Sequence, residues 1–303
     1  MRFKSFLLLA LLACLWGPSF LFIKLAVEEI PPITLVLGRV GIAALSLYLM
    51  LKLQGYNLPR WGVVWQHVAV AGLLHNALPF VLITWGEKHI TSALASILNG
   101  TMPFFTIILA HLFIKEERLT PQKAVGVLIG FSGVFVLSAP TLLAGGLQAT
   151  TLGLMAVVTA AACYGAAAVY ERKFLRGVLP AIVSTAQLGM ATLYLLPLSL
   201  WLERPYQLPM PSWQAIGSLL FLAIFGTAIA FTVYYYALEQ TDASTISMVT
   251  YLLPIVGIFL GVVVLNEELT WHTYLGCTLI LLGVMTVNEL FRPFSWQRLP
   301  SKV

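Results

Sequence analysis

Apolar residues run along this chain in ten stretches of about 20 residues, joined by short polar connections. They fall at 6–27, 33–53, 63–85, 92–114, 121–139, 151–171, 181–202, 214–236, 243–265 and 272–291. About 20 apolar residues wound as a helix cross the hydrocarbon of a bilayer. No water is available there for backbone donors and acceptors, so each stretch predicts a helix. The expected fold class is an all-α membrane protein with ten transmembrane helices.

The pattern is written twice. Trp85 to Val134 reappears about 150 residues later as Tyr235 to Val284. Glu-Arg-Leu-Thr at Glu117–Thr120 returns as Glu-Glu-Leu-Thr at Glu267–Thr270, Gly126 and Gly133 return as Gly276 and Gly283, and Pro103 returns as Pro254, one residue displaced. Upstream, Trp16-Gly17 matches Tyr164-Gly165, Pro32 matches Pro180, and Gly41 matches Gly189. Each copy, 1–148 and 149–303, holds five spans. Five is odd, so the second copy enters the membrane from the opposite face. Inverted repeats of this kind build transporters, with the substrate site near the midplane between the copies.

Composition and charge sharpen this picture. Of 303 residues 59% are apolar and 10% charged, which excludes an ordinary soluble domain. With the N-terminus in the cytoplasm, thirteen of the 17 lysines and arginines fall at the cytoplasmic face. Lys24, Lys88 and Arg204 fall at or near the outer face, and Arg39 lies within a span. This positive-inside bias places both termini in the cytoplasm. Arg2 and Lys4 before an apolar run resemble a signal peptide, but the run continues to Val27, so the segment reads as a retained first helix. Cys14, Cys163 and Cys277 lie in separate spans without metal-ligand spacing and read as packing residues.

Polar chemistry at depth is neutral or aromatic. Every Asp and Glu falls near a span end or outside, which argues against proton-for-cation exchange through a mid-helix carboxylate. A helix-interior proline frees the carbonyl four residues earlier. Pro79, Pro103 and Pro254 free those of His75, Asn99 and Thr250, and Pro18 frees that of Cys14, beside Trp16. Freed carbonyls in hydrocarbon are costly unless paired or set against a cavity, so these positions point to a wet central site or to locally satisfied kinks. His75 and Asn76 read either as a substrate-binding pair, with His75 the expected carrier of any proton coupling, or as an interhelical hydrogen bond. Trp16 and Tyr164 read as cavity walls or as packing, and Tyr251, beside Thr250, reads as cavity-lining or interfacial. Tyr234–Tyr236 end the eighth span as an expected interfacial belt, with Tyr235 able to face inward. Arg39 either snorkels or pairs with Glu28, Glu29 or Glu87, or attracts a substrate anion. Its counterpart is neutral Gln187.

Two five-helix copies, each with Trp/Tyr-Gly in its first helix and Glu-Arg/Glu-Leu-Thr after its fourth, resemble the EamA-type drug/metabolite transporters. The resemblance covers about Leu8 to Val287, and Thr91–Thr106 is especially similar to bacterial members. It implies a first and a second, inverted, five-helix EamA-like repeat around a central cavity, alternating access, and export of amino acids or related metabolites across the cell inner membrane. The Glu-Arg/Glu-Leu-Thr elements fall at span ends and so read as topological and gating features rather than substrate contacts. The expected site is Trp16, Arg39, His75, Asn76, Asn99, Tyr164, Thr250 and Tyr251, with no cofactor and no metal. The expected partners are a small-molecule substrate and the lipid bilayer, with no nucleic acid; monomer and homodimer both stay open. A flippase for lipid-linked substrates remains an alternative, with Arg39 and Lys24 as headgroup ligands. A membrane-embedded enzyme lacks any His-Glu-x-x-His, Gly-x-Ser-x-Gly or paired aspartates.

Overall fold

A computed structural model describes residues 3–115, 117–143, 148–240 and 248–288, and within them the chain is all helix. Eight apolar helical segments are long enough to cross a membrane: α1 (Leu7–Val27), α2 (Pro32–Leu53), α3 (Val63–Glu87), α4 (Ser92–Phe113), α5 (Pro121–Leu143), α6 (Ala149–Phe174), α7 (Pro180–Glu203) and α8 (Trp213–Ala237). Two shorter apolar helices follow, α9 (Val249–Leu265) and α10 (Trp271–Val287). Their 17 residues each rise about 26 Å, the short end of what a bilayer crossing needs. Residues 243–247 and 289–291 of the expected ninth and tenth spans lie outside the described residues.

Several helices are interrupted, and local chemistry explains where. α1 stops at Trp16 and restarts at Ser19, because Pro18 has no N–H to donate. The Gly17 N–H still reaches Ala13 O at 2.8 Å, so the break is tight. α4 stops at Asn99 and restarts at Met102. There the Thr101 hydroxyl donates to Leu98 O at 2.6 Å, and the Phe104 N–H to Thr101 O at 3.0 Å. α3 widens into a π turn over Leu73–Ala77 before Pro79. α8 widens at its counterpart position, Ile224–Ile229, with no proline at all. Its Thr227 hydroxyl donates to Leu222 O at 2.8 Å and satisfies the loosened turn. Pro254 behaves otherwise: α9 runs through it as one continuous helix. The repeat therefore conserves the shape of α3 and α8 better than it conserves proline.

α5 and α10 pack at the closest approach. A Cβ built on Gly283 would lie 2.6 Å from both Gly126 O and Gly130 N, and one on Gly133 would lie 2.7 Å from Gly276 O. These positions accept only glycine because two backbones touch there, the packing role expected of small residues in membrane helices.

One end of the bundle is laced by carboxylates set against helix N-termini. Glu203, closing α7, accepts from Ile33 N at 2.9 Å and Thr34 N at 2.6 Å at the start of α2. Glu267 accepts from Ser92 N at 2.6 Å and Ala93 N at 3.0 Å at the start of α4. Glu29 accepts from the hydroxyl and the N–H of Ser212, both at 2.6 Å, before α8. Those two bonds, the hydroxyl first, hold the Glu29 carboxyl below the usual carboxylate range. Each acid comes from the other half of the chain than the helix it caps. An anion at a helix N-terminus satisfies orphan N–H groups and opposes the dipole, a contribution of about 0.3–1 kcal/mol at the surface and up to ~2 kcal/mol when partly buried.

The packing makes a first prediction. Gly283→Val should force α5 and α10 apart at a cost of about 1–3 kcal/mol. The purified protein's thermal unfolding midpoint should drop, while Gly189→Val, where a Cβ meets nothing within 4 Å, should leave it near wild type.

Candidate functional site

The interrupted helices surround a central cavity of about 560 Å³. α6 builds one wall on helical spacing: Tyr164, Ala168 and Glu171 share a face and all line the cavity. α3 contributes His75 from its π turn and Phe80 just beyond. The wider turn carries His75 across to α6, where its Nδ1 lies 2.7 Å from Glu171 Oε1. Glu171 Oε1 also accepts from Gln187 Nε2 at 3.0 Å, on α7. Tyr164 sits edge-on to His75, 5.7 Å between ring centroids, and edge-on to Phe80 at 6.4 Å. The Arg39 guanidinium lies 4.1 Å above the Phe80 ring centroid. One continuous aromatic surface thus carries a carboxylate at one end and a guanidinium at the other.

Arg39 corrects the expectation of snorkelling or carboxylate pairing. It is 7% exposed, faces inward, and forms no ion pair among the described residues. Its Nε donates to Thr227 Oγ1 at 2.9 Å, and Nη2 lies 3.5 Å from Gly226 O in the π turn of α8. A charge at this depth costs about 2.5–3.5 kcal/mol or more. One charge-assisted bond returns about 1.5–3 kcal/mol and the ring about 0.5–2 kcal/mol. The two together balance the burial and leave further N–H groups for something in the cavity.

Trp16, Asn99 and Thr250 also line the cavity. Trp16 meets Phe231 edge-on at 6.5 Å and Tyr234 at 5.6 Å. Asn99 sits at the break in α4, its Oδ1 buried without a partner. Tyr234 joins Tyr235 on the wall, so the expected belt divides: only Tyr236 of the three is mostly exposed. Asn76 and Tyr251 lie elsewhere. Asn76 is fully buried between α3 and α7, its Nδ2 3.5 Å from Gln187 Oε1. The Tyr251 hydroxyl donates to Val284 O at 3.3 Å and accepts from Asn288 Nδ2 at 2.5 Å, tying α9 to α10. The sequence reading missed Glu171 because it closes its expected span. The signal was present in its spacing from Tyr164, seven residues or two turns away on the same face.

The two ends of the cavity differ. Arg172 and Asn288 line one mouth, where Arg172 pairs with Glu117. At the other end Lys24, the counterpart of Arg172, donates to Glu87 O at 2.5 Å, at the end of α3, and to Ile90 O at 2.9 Å, in the connection that follows. Glu267, the counterpart of Glu117, caps α4. So the same two residue pairs bind one another at the first end and fasten helix termini at the second. Among the described residues no group of three His, Cys, Asp or Glu side chains could hold a metal ion.

Comparison with known proteins extends over nearly the whole chain. The EamA-like transporter family matches twice, over residues 4–139 and 151–288. An uncharacterized transporter of Archaeoglobus fulgidus is 29% identical over 288 residues, covering 94% of this chain and 98% of its own. The inner membrane transporter YedA of Escherichia coli is 26% identical over 295 residues, covering 95% and 93%. A probable terminal-alkyne amino-acid exporter of Streptantibioticus cattleyicolor is 26% identical over 286 residues, covering 94% of each chain. One solved crystal structure aligns with a TM-score of 0.66 at 22% identity, over 97% of this chain and all of that one, a likeness of fold. Two family matches laid end to end across a bundle of apolar helices establish the class: the chain is a multi-pass membrane transporter and belongs to the EamA-like transporter family.

Proposed function

We propose that the protein exports amino acids or closely related zwitterions across the bacterial inner membrane by alternating access. The observation that carries this reading is the pair of opposite charges on the cavity wall. Arg39 offers donors to a carboxylate, Glu171 offers an acceptor to an ammonium, and the rings of Tyr164 and Phe80 lie between them. Both charges are intrinsic to the protein, so a zwitterion enters without bringing net charge into the bilayer. Trp16 and Asn99 complete the surroundings of its side chain. The name of the Streptantibioticus relative supports the same substrate class.

In this reading ten helices form two inverted repeats with both termini in the cytoplasm. The Arg172 mouth faces the cytoplasm and the end carrying Glu203 and Glu267 faces outward. The structure is then the inward-facing form, closed outside by the carboxylate caps. Outward opening requires those caps to release.

Two measurements bear on this. Cysteines placed at Gly177 and Gln207 should react with an impermeant reagent from opposite sides of intact cells, Gln207 from outside; labelling of Gly177 from outside contradicts the orientation. Inside-out vesicles containing the protein should accumulate radiolabelled amino acids from a mixture. Arg39→Gln and Glu171→Gln should each reduce that uptake by about 10-fold or more, since loss of one charge-assisted bond costs about 1.5–3 kcal/mol. Unchanged uptake in both variants would move the substrate away from this wall.

A further inference from the structure

Glu87 has no role in the cavity described above. It ends α3 and is fully buried, and neither carboxyl oxygen has a hydrogen-bond partner. The nearby cation does not rescue it. Lys24 Nζ spends its bonds on backbone carbonyls, at 2.5 Å to Glu87 O and 2.9 Å to Ile90 O, and forms no ion pair with the carboxyl group. The charged groups around the Glu87 carboxyl are Lys24 from α1, Arg39 from α2 and Glu267 from the connection between α9 and α10. α6 sets the uncharged Gly153, Ala156 and Val157 against the adjoining Gly86, and His89 in the following connection meets Trp85 edge-on. An ionised carboxylate stripped of water and of every donor costs several kcal/mol.

We infer that Glu87 is a proton-binding site that locks the outer end of the transporter shut. The site uses the orientation proposed above and is separate from the substrate cavity. Two fastenings hold the connection between α3 and α4: Lys24 on the carbonyls of Glu87 and Ile90, and Glu267 on the first N–H groups of α4. Both are compatible with a neutral carboxyl at Glu87. Loss of the proton to water on the outer side creates a negative charge between them. That charge draws the Lys24 ammonium from the carbonyls and repels the Glu267 carboxylate from the helix start. Both fastenings weaken together. Proton binding from outside reverses the change, and only the O–H bond of the carboxyl group is made or broken. The counterpart pair at the other end indicates the released arrangement, because Arg172 and Glu117 there bind each other. On ionisation of Glu87, Lys24 likewise leaves the backbone for a carboxylate, as Arg172 has done at the other end. Return of the empty carrier to the inward-facing form therefore requires Glu87 to bind a proton from outside.

The test needs no substrate. Ser92 is fully buried beside Glu267, so a Ser92→Cys thiol is reachable from outside only when this end opens. It is introduced into the full chain with Cys14, Cys163 and Cys277 replaced by alanine. Labelling by an impermeant maleimide in intact cells is normalised to a Gln207→Cys control, which corrects for thiol ionisation and independently reports orientation. Labelling of Ser92→Cys should rise several-fold as the external medium is made alkaline. In Glu87→Gln, which mimics the protonated form, it should stay low at every pH. An unchanged pH profile in Glu87→Gln overturns the proposal, as does a response to sodium instead of pH. The infrared spectrum of the wild-type protein supplies a second measurement that no folding defect can blur. It should contain a protonated-carboxyl C=O band at neutral pH, which Glu87→Gln removes. A wild-type spectrum without that band overturns the proposal by itself.

Discussion

Hydrocarbon supplies no hydrogen bonds, so every broken turn and every helix end in this bundle must find its own partners. That constraint locates the function. Helices that stay regular, such as α5 and α10, satisfy themselves and can press backbone against backbone through Gly126, Gly130 and Gly283. The breaks in α1, α3, α4 and α8 lie around the cavity, and hydroxyl groups repair two of them: Thr101 in α4 and Thr227 in α8. The repair at Thr227 does a second job, because the same Oγ1 that donates to Leu222 O accepts from Arg39 Nε. A loosened turn thereby becomes the mount for a buried guanidinium. Helix ends follow the same rule at the end that carries Glu29, Glu203 and Glu267, where acids from one half of the chain satisfy N–H groups of the other.

The repeat gives the molecule two versions of each device, and the versions differ in chemistry or in state. Arg39 faces the cavity in the first half, while Gln187 in the second half holds Glu171 in place from behind. One copy supplies the cation and the other positions the anion, so duplication has produced a charge-separated site rather than two identical ones. Lys24 and Glu267 fasten helix termini at one end, while Arg172 and Glu117 pair directly at the other. Two copies in different arrangements are what the proposed alternating access between inverted repeats requires of the two faces.

The all-helical, two-copy character was legible because apolar length and the repeated Glu-Arg/Glu-Leu-Thr elements depend on sequence alone. The site was legible only in part. Prolines announced the breaks near His75 and Asn99, yet Pro254 breaks nothing and α8 widens without a proline. Backbone shape there depends on tertiary contacts that no local pattern encodes. Arg39 was visible as an uncomfortable charge, but its inward direction depends on a π turn 187 residues away. Glu87 and Glu171 were read as span-end residues. Depth along a helix said nothing about burial, and both side chains prove to lie inside the bundle.

The central claim is that the wall between Arg39 and Glu171 recognises both charges of a zwitterion. Ligand-induced thermal stabilisation of the purified protein tests it most directly, because a ligand bound only to the folded state adds about 2.7 kcal/mol at a hundredfold excess over Kd. Across a panel of amino acids, the account predicts that a stabilising one loses its effect when its amino group is acetylated, and again when its carboxylate is amidated. Equal stabilisation by the free amino acid and by both blocked forms would contradict it.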